Sequence, residues 1–365
     1  MQLRILIPSI ILIGFTSDIG PRFVVPPQWV AFREWEAALL FHSVDGPFAP
    51  NFAYENEKSY GDLANLGNLP SFRQYHRIVF TTDEWGFRKT PSNAARPTTT
   101  VVVGDSFAGG AGLSDVDTLS AQLGRLSGTG VYNGGNVYGS DVLTRLGPLI
   151  KRLKLKSGLV IYEHSERYEY ETPSVNPTAY QRDQYFWIYA SALWAYSPLR
   201  ILLARAVSSI QDDVWLPNVA AQSVVVKRLT NGQSQLFLKS EVDNFGRARA
   251  ADADFFVKLN ALVRSTDNEL LVILVPDKYN VYYPLLEGAS LSGSPYLGLL
   301  AQNLSSNRMA VLDLTSVLRE QATAILLDRK YNYHIDDSHW NAVGVERVAQ
   351  AIIESRGGLP TPQSH

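Results

Sequence analysis

The sequence predicts an α/β fold of three layers, α/β/α, in which helices enclose a central parallel sheet that carries an α+β insertion. Three observations support this prediction. Short apolar, β-branched runs alternate with helical patterns from residue 99 to about residue 167, the alternation resumes near residue 250, and the runs end in glycine, proline or polar residues. Strands that alternate with helices in this way favour parallel pairing through right-handed crossovers.

Five apolar runs are predicted as the strands of this sheet. The first, residues 99–104, is apolar and β-branched and stops abruptly at Gly104-Asp105-Ser106. Such a run is typical of a strand that is buried on both faces. The others are residues 131–133, 158–162, 270–275 and 310–314. Ser106 is therefore expected at the carboxyl end of the first strand, which is the edge where open α/β sheets place their ligands.

The segments between these strands have helical patterns. The predicted helices cover residues 115–123, 140–153, 250–264, 296–303 and 342–353. Residues 168–245 interrupt the alternation and are predicted to form a large insertion. Within it, apolar runs on either side of Asn231-Gly232 predict a β-hairpin.

The ends of the chain are predicted to lie outside the central fold. Residues 1–21 contain an apolar run after Arg4 that has the size of a signal-peptide core, so we expect a signal peptide or a short membrane anchor. The alternative is a buried first strand or helix. Residues 22–98 are expected to form an N-terminal elaboration packed on the core, residues 99–356 the main domain, and residues 357–365 a flexible tail. The protein is therefore expected to be periplasmic or otherwise exported.

Composition narrows the chemistry available to the protein. A net charge of −2 over 365 residues gives no electrostatic reason to expect a nucleic-acid partner. The chain has no cysteine, which excludes disulfides, thiolate metal sites and a cysteine nucleophile. Any covalent catalysis by this chain would therefore need a nucleophile other than cysteine.

Ser106 and His339 are the strongest candidates for nucleophilic chemistry. A serine hydroxyl needs a base to attack at neutral pH. Among the six histidines, His339 lies in a predicted turn just before the last helix, where it could reach across the strand ends. Asp336 and Asp337 precede it, and backbone geometry permits either carboxylate to orient the imidazole. The pattern predicts a serine nucleophile, a histidine base and an orienting acid.

The same stretch could also be interpreted as a metal cluster. His334, Asp336, Asp337 and His339 are potential ligands, but their spacing matches no helical metal motif and no further ligand stands out. We therefore predict neither a metal nor a cofactor.

The chain resembles the SGNH/GDSL hydrolase superfamily, and within it the alginate O-acetyltransferase branch typified by AlgX and AlgJ. The resemblance covers roughly residues 80–355. The matching stretches are Val103-Gly104-Asp105-Ser106-Phe107, Tyr162-Glu163-His164-Ser165-Glu166-Arg167, Val275-Pro276-Asp277-Lys278-Tyr279-Asn280-Val281-Tyr282, and Asp337-Ser338-His339-Trp340-Asn341 with Gly344. It implies the SGNH-hydrolase fold, whose central sheet is flavodoxin-like.

The resemblance also implies roles for individual residues. Ser106 would be the nucleophile, His339 the base and Asp337 the orienting acid, with Asp336 as the alternative. The backbone N–H groups of Ser106 and of Gly135 or Gly134, with Asn136 nearby, would form the oxyanion hole. The side chains implied to line a substrate groove are Arg167, Lys278, Asn280, Tyr282 and Trp340. Cationic and aromatic side chains suit a hydroxyl-rich, anionic sugar chain.

The function implied by the resemblance is transfer of an acetyl group to an exopolysaccharide or cell-envelope glycan through acetyl-Ser106. Its partners would be an acetylated donor, a polysaccharide acceptor and a membrane protein that supplies acetyl groups. Two alternatives remain open at this stage. The same residues would serve a carbohydrate acetylesterase, and a chain that had lost catalysis would be a glycan-binding component of an envelope complex.

Overall fold

The computed structural model describes residues 45–67, 69–91, 96–167, 223–247, 249–289 and 293–361, with single residues elsewhere, among them Arg33. In chain order the strands are β1 (Ala53–Ser59), β2 (His76–Thr81), β3 (Thr98–Gly104), β4 (Gly130–Gly135), β5 (Leu159–Ser165), β6 (Val224–Arg228), β7 (Ser234–Leu238), β8 (Glu269–Val275) and β9 (Ala310–Asp313). The α-helices are α1 (Asp62–Leu66), α2 (Ser106–Gly109), α3 (Leu119–Ser127), α4 (Ser140–Leu153), α5 (Lys239–Asn244), α6 (Asp254–Arg264), α7 (Lys278–Tyr282), α8 (Tyr296–Ser306), α9 (Thr315–Ile325) and α10 (Ala342–Arg356).

The central sheet has five strands in the order β4–β3–β5–β8–β9, and every neighbouring pair is parallel. Counted along the chain, this order is 2-1-3-4-5, the flavodoxin-like arrangement. Strand order reverses beside β3, and such a switch point opens a crevice at the carboxyl ends of the strands. The predicted α/β fold is therefore confirmed, and Ser106 lies at the crevice.

Both faces of the sheet are buried, which explains the continuous apolar runs. Along β3, Val102 faces one core together with Ile161, whereas Val101 and Val103 face the other together with Tyr162. Helices α3, α9 and α10 cover the first face, and α4, α6 and α8 cover the second. The alternation of side chains between two cores makes the three layers.

Some helices differ from the predicted ones. Residues 115–123 were expected as one helix, but a 3₁₀ turn occupies Asp115–Asp117 and α3 begins only after Thr118, whose hydroxyl accepts the Ala121 N–H at 3.3 Å. This cap fixes the start of the helix. Helix α9 was not predicted from the sequence, although Leu318 and Ala322 bury one of its faces.

Residues 45–91, which we call the N-terminal unit, contain regular structure that the sequence pattern did not predict. Strands β1 and β2 pair antiparallel, and α1 follows β1. Strand β1 buries only Tyr54 and Ser59, so its polar composition hides the alternation expected of a strand. Leu63 and Ala64 of α1 pack against Leu236 of β7. The N-terminal unit thereby meets the insertion.

Other predictions fall partly outside the described residues. The hairpin inside the insertion is confirmed as the antiparallel pair β6–β7, with Gly232 at φ +84° in its turn. Residues 168–222, apart from Leu203, lie outside the described part, as do most of residues 1–44 and residues 362–365. Among the residues described, no helix is both long enough and apolar enough to cross a membrane. The leader, tail and domain limits stay predictions.

Candidate active site

The turn after β3 presents Ser106 at the first position of α2. Asp105 caps this short helix, because its Oδ1 accepts the Phe107 N–H at 2.7 Å. Gly104 has φ +151°, and a Cβ there would lie 2.5 Å from Glu163 Oε2. Only glycine fits this position. Gly104 and Asp105 therefore form the sharp turn that places the Ser106 hydroxyl at the carboxyl end of β3.

The turn before α10 presents His339. Asn341 begins that helix as its cap, with its Oδ1 accepting the N–H groups of Val343 and Gly344 at 3.0 and 3.1 Å. Within the turn, the His334 N–H donates to the His339 carbonyl at 3.2 Å. The imidazole packs against the ring of Phe107, with ring centroids 4.9 Å apart. The loop geometry thus brings His339 to the carboxyl end of β3.

Ser106, His339 and Asp337 form one hydrogen-bonded relay. Ser106 Oγ lies 2.8 Å from His339 Nε2, and His339 Nδ1 lies 2.7 Å from Asp337 Oδ1. The His339 and Asp337 residues are each 5% exposed, whereas Ser106 is only partly buried. A hydroxyl, an imidazole and a carboxylate in this order can remove and return a proton at the serine oxygen.

The geometry separates the two aspartates that the sequence left as alternatives. Asp337 contacts the imidazole, and its Oδ1 also accepts the His339 N–H at 3.0 Å. Asp336 instead points into the N-terminal unit, where its Oδ2 accepts the N–H groups of Gly61 and Gln74 at 2.8 and 2.7 Å. The Asp336 carboxylate therefore joins the turn to the N-terminal unit and does not contact the His339 imidazole. The structure also does not gather His334, Asp336, Asp337 and His339 around one point, because the Asp336 carboxylate faces away.

The electrostatics of the turn differ between these two carboxyls. Burial opposes the charged form of Asp337, but the facing His339 imidazole and the nearby Arg33 outweigh it and hold the pKa of Asp337 well below its usual range. Burial raises the pKa of Asp336, opposed by the hydrogen bonds from Gln74 and Gly61. Asp337 is thus the carboxyl that the surrounding charges keep ionised.

The expected oxyanion hole is only partly present in the geometry. Among the described residues, no acceptor lies within hydrogen-bond distance of the Ser106 N–H. Asn136 packs its side-chain amide against Gly109 in α2, and its N–H donates to the Asp105 carbonyl at 3.2 Å. The Gly135 N–H, however, donates to Asn133 Oδ1 at 2.9 Å. This corrects the expectation for Gly135, since Asn133 already occupies its donor.

Lys278 is not in a groove, which corrects a second expectation. Its side chain is completely buried, and Nζ lies between 2.6 and 3.1 Å from the carbonyl oxygens of Leu236, His334, Ile335 and Asp337. Burial lowers its pKa to about 7, opposed by nearby carboxylates. Lys278 therefore holds the turn of residues 334–339, which we call the acid–base turn, against β7 and is not free for substrate.

Asn280, Tyr282 and Trp340 are also interior side chains. Asn280 is 1% exposed and donates to Glu166 at 2.7 Å, whereas the Tyr282 hydroxyl accepts the Asn332 N–H at 2.7 Å. Trp340 is completely buried and packs edge-on against Phe107. The expectation that these three line a substrate groove is wrong, because all three side chains are buried and make their contacts inside the protein.

Arg167 lies at the edge of the site and supports the His339 turn. It donates to Ser338 Oγ at 3.1 Å and to the Ser338 carbonyl at 2.9 Å, and it stacks 4.8 Å from the Phe107 ring. Glu241 and Asp277 pair with it at 3.2 and 3.5 Å. With 16% of its side chain exposed, Arg167 is the one predicted groove residue that still reaches solvent beside the relay.

Glu163 is part of the site although no role was predicted for it. Glu163 is 1% exposed and lies beneath residues 104–109, which we call the nucleophile turn. Its Oε2 accepts the Asp105 N–H at 3.0 Å. Burial first, and then the neighbouring Asp105 carboxylate, raise the pKa of Glu163 well above its usual range. The sequence signal for Glu163 was its place in the matching stretch Tyr162-Glu163-His164-Ser165-Glu166-Arg167, which implied no role for it.

The resemblance to known proteins can now be set beside this geometry. Residues 233–361 match the family model described as an SGNH hydrolase-like domain of the acetyltransferase AlgX. The predicted SGNH resemblance is confirmed. This range contains Asp337 and His339 but not Ser106, so the serine is assigned from its contact with His339. The matched part of the chain, residues 233–361, is therefore similar to an SGNH hydrolase-like acetyltransferase domain.

Solved structures and curated sequences complete the comparison. A G-D-S-L family protein from Desulfitobacterium hafniense DCB-2 is 14% identical, with coverage of 70% of this chain and 99% of that chain and a TM-score of 0.34. A carbohydrate acetylesterase family member from Sinorhizobium meliloti is 13% identical, with coverage of 71% and 100% and a TM-score of 0.32. No curated protein sequence matches this chain.

Proposed function

We propose that this protein is an exported serine O-acetyltransferase that acetylates an exopolysaccharide or cell-envelope glycan through an acetyl-Ser106 intermediate. The observation that carries the proposal is the relay itself. Ser106 Oγ is 2.8 Å from the base nitrogen of His339, whose other nitrogen is 2.7 Å from Asp337. The AlgX-type match over residues 233–361 supports acetyl transfer as the chemistry.

In the first half-reaction, Ser106 Oγ attacks the carbonyl carbon of an acetyl donor while His339 accepts the hydroxyl proton. Asp337 stabilises the imidazolium that forms. The bond from the acetyl carbon to the donor breaks, and the leaving group departs with the proton from His339. In this proposal, the Ser106 N–H and the side-chain amide of Asn136 stabilise the negative charge on the carbonyl oxygen.

In the second half-reaction, His339 accepts the proton of a sugar hydroxyl as its oxygen attacks the acetyl carbon. The bond to Ser106 Oγ breaks, and the serine regains its proton from His339. Water can replace the sugar at this step, which would give hydrolysis. Transferase and acetylesterase therefore differ in the acceptor that reaches acetyl-Ser106, not in the relay.

A cavity beside the nucleophile turn suits a sugar acceptor. Its volume is about 420 Å³, and the residues that line it include Asn136, the half-exposed Tyr138 and the partly buried Arg145. Burial and the nearby Asp105 carboxylate raise the pKa of Tyr138, so its hydroxyl stays protonated as a hydrogen-bond donor. Within the described part of the chain, no group pairs with the Arg145 guanidinium. Aromatic and cationic groups of this kind bind hydroxyl-rich or anionic sugars.

The first test is intact-protein mass after incubation with p-nitrophenyl acetate. We expect the wild type to gain one acetyl group and to release p-nitrophenol, and Ser106→Ala to lose both by at least about a thousandfold in rate. Ser305→Ala, an exposed serine on α8, is the matched control and should behave as the wild type. Adduct formation in Ser106→Ala would contradict the assignment of the nucleophile.

The acceptor is tested next by incubating the acetylated enzyme with unacetylated glycans. Acetyl transfer to a glycan faster than loss to water supports the transferase. Release to water alone, together with cleavage of acetylated glycans, would replace it with the acetylesterase. A wild type that forms no adduct and releases no p-nitrophenol would overturn both and favour a non-catalytic glycan-binding component. Fractionation tests export, since a wholly cytoplasmic protein would contradict it.

A further inference from the structure

Asp62 in the N-terminal unit lies against the acid–base turn. Its N–H donates to Asp337 Oδ2 at 3.0 Å, and its Oδ1 accepts the Ser338 N–H at 3.1 Å. Its other oxygen, Oδ2, lies 4.0 Å from His339 Nδ1. The backbone of Asp62 thus contacts the carboxylate that orients His339, while its side chain places a second carboxylate beside the same imidazole nitrogen.

We propose that Asp62 is a positioning residue that supplies a second carboxylate to His339 and makes the N-terminal unit part of the catalytic centre. This inference rests on the proposed serine chemistry and extends it to a segment that no motif marks. An imidazolium beside two carboxylates is stabilised more than beside one. Asp62 therefore acts through His339 and through Asp337, not on the substrate.

The neighbours of Asp62 explain how its position is kept. Leu63 and Ala64 donate their N–H groups to the Asp336 carbonyl at 3.0 and 3.1 Å, which fixes α1 on the turn. Arg33 lies 3.2 Å from Asp62 Oδ2. The Asp62 side chain is 17% exposed, so its charge acts on His339 with little screening by water.

Other titratable groups also lie near His339 and Asp337, and their charges act on the imidazole together with that of Asp62. These groups are His334 and Asp336 on the same turn, His76 on β2 stacked on His334, Arg33 before β1, and Lys278 on α7, with Arg167 behind Phe107. Asp337 and Asp62 are the two carboxylates close to His339 Nδ1 among these described residues. Removing one of them changes the charge balance at the imidazole directly.

The test is the pH dependence of kcat/KM for p-nitrophenyl acetate. Asp62→Asn keeps the shape but removes the charge, so protonating His339 becomes harder. We expect the acid limb of the profile to move down by about half a pH unit or more, and kcat at neutral pH to fall about threefold to tenfold. Arg33→Gln removes a positive charge and should move the same limb up.

Controls separate this electrostatic role from a merely structural one. Asp62→Glu keeps the charge and should restore the wild-type limb, whereas Glu55→Gln, an exposed carboxyl of the same unit paired with Arg77, should leave it unchanged. A lowered melting temperature with an unmoved acid limb in Asp62→Asn would overturn the proposal. So would a shift of the same sign in Arg33→Gln.

A second measurement does not depend on activity. The His339 imidazole can be titrated by NMR in wild type and Asp62→Asn, with His339→Gln used to assign its signals. A midpoint that falls in Asp62→Asn supports the inference even for an inactive wild type, in which case the proposed function alone would fail. An unchanged midpoint in an active enzyme would reject Asp62 and leave the function intact.

Discussion

The two turns that meet at the candidate site are stabilised in different ways. The nucleophile turn takes its supports from its own sequence and from the neighbouring strand, through the Asp105 cap and the Glu163 contact. The acid–base turn is held by remote segments. Gly61 and Gln74 donate to Asp336, and Lys278 donates to the carbonyl oxygens of the turn.

This difference indicates where each half of the site is vulnerable. The nucleophile turn should survive changes elsewhere in the chain, because a parallel strand buried on both faces supports it. The acid–base turn should fail when a distant residue changes, because its carbonyl and carboxylate oxygens depend on donors far away in sequence. Substitutions that affect one turn and leave the other unchanged test this difference.

The largest effect is expected for the acid of the relay. Asp337→Asn leaves an amide against His339 Nδ1 and disfavours the tautomer that accepts the Ser106 proton. We expect kcat/KM for p-nitrophenyl acetate to fall about a thousandfold or more. The melting temperature should fall as well, because the lowered pKa of Asp337 means that its ionised form stabilises the folded protein.

Asp336→Asn is the matched comparison for that change. Its remaining carbonyl oxygen can still accept the N–H groups of Gly61 and Gln74, so we expect kcat/KM to fall less than about tenfold. Because burial raises the pKa of Asp336, the neutral amide removes a buried charge, and the melting temperature should change little. An Asp336→Asn enzyme that is as inactive as Asp337→Asn, with an unchanged melting temperature, would reverse the assignment of the acid.

The next effect concerns Lys278, the remote support of the acid–base turn. Lys278→Met leaves four carbonyl oxygens, two of them buried and two partly buried, without their donor. We expect a loss of about 3–5 kcal/mol in the free energy of unfolding. Hydrogen exchange should report weaker protection at residues 334–338 but not at residues 104–109. Lys258→Met, exposed on α6, is the control and should change neither.

Equal loss of protection at both turns in Lys278→Met would contradict the comparison, because it would make them one cooperative unit. Loss confined to residues 104–109 would reverse it. Activity adds a separate readout. Acetylation of Ser106 should slow in Lys278→Met even below the unfolding transition, since His339 shares the turn that Lys278 holds.

The features that could be predicted from the sequence are those that depend on neighbouring residues, whereas contacts between distant segments could not be predicted. Runs of β-branched residues predict the strands of the sheet. The glycine turn after the first strand marks Ser106, and the start of the last helix marks His339. Asp62 lies 275 residues from Asp337, and no periodicity connects the two. Lys278 was expected in a substrate groove because the resemblance implied it. Its carbonyl partners instead come from β7 and the His339 turn. Only the fold brings those groups together.

The smallest effect is expected beneath the nucleophile turn, at Glu163. Its Oε1 and the Asp105 Oδ2 are both buried without another hydrogen-bond partner among described residues, and a proton on Glu163 would join them. Glu163→Gln reproduces that arrangement with an N–H donor, so we expect kcat/KM within about threefold of wild type at pH 7. Glu163→Ala, which leaves a cavity and an unpaired Asp105, should lose far more.

The pH dependence of stability checks the same contact. Because burial and Asp105 raise the pKa of Glu163, the folded protein keeps a proton that the unfolded chain releases above about pH 4.5. This carboxyl's contribution to stability is therefore present below that pH and declines as the pH rises. Denaturation at pH 5, 7 and 9 should find Glu163→Gln gaining stability relative to wild type with rising pH, whereas Glu287→Gln, half exposed beside Arg228, should not. A constant difference would mean that Glu163 is ionised in the folded protein.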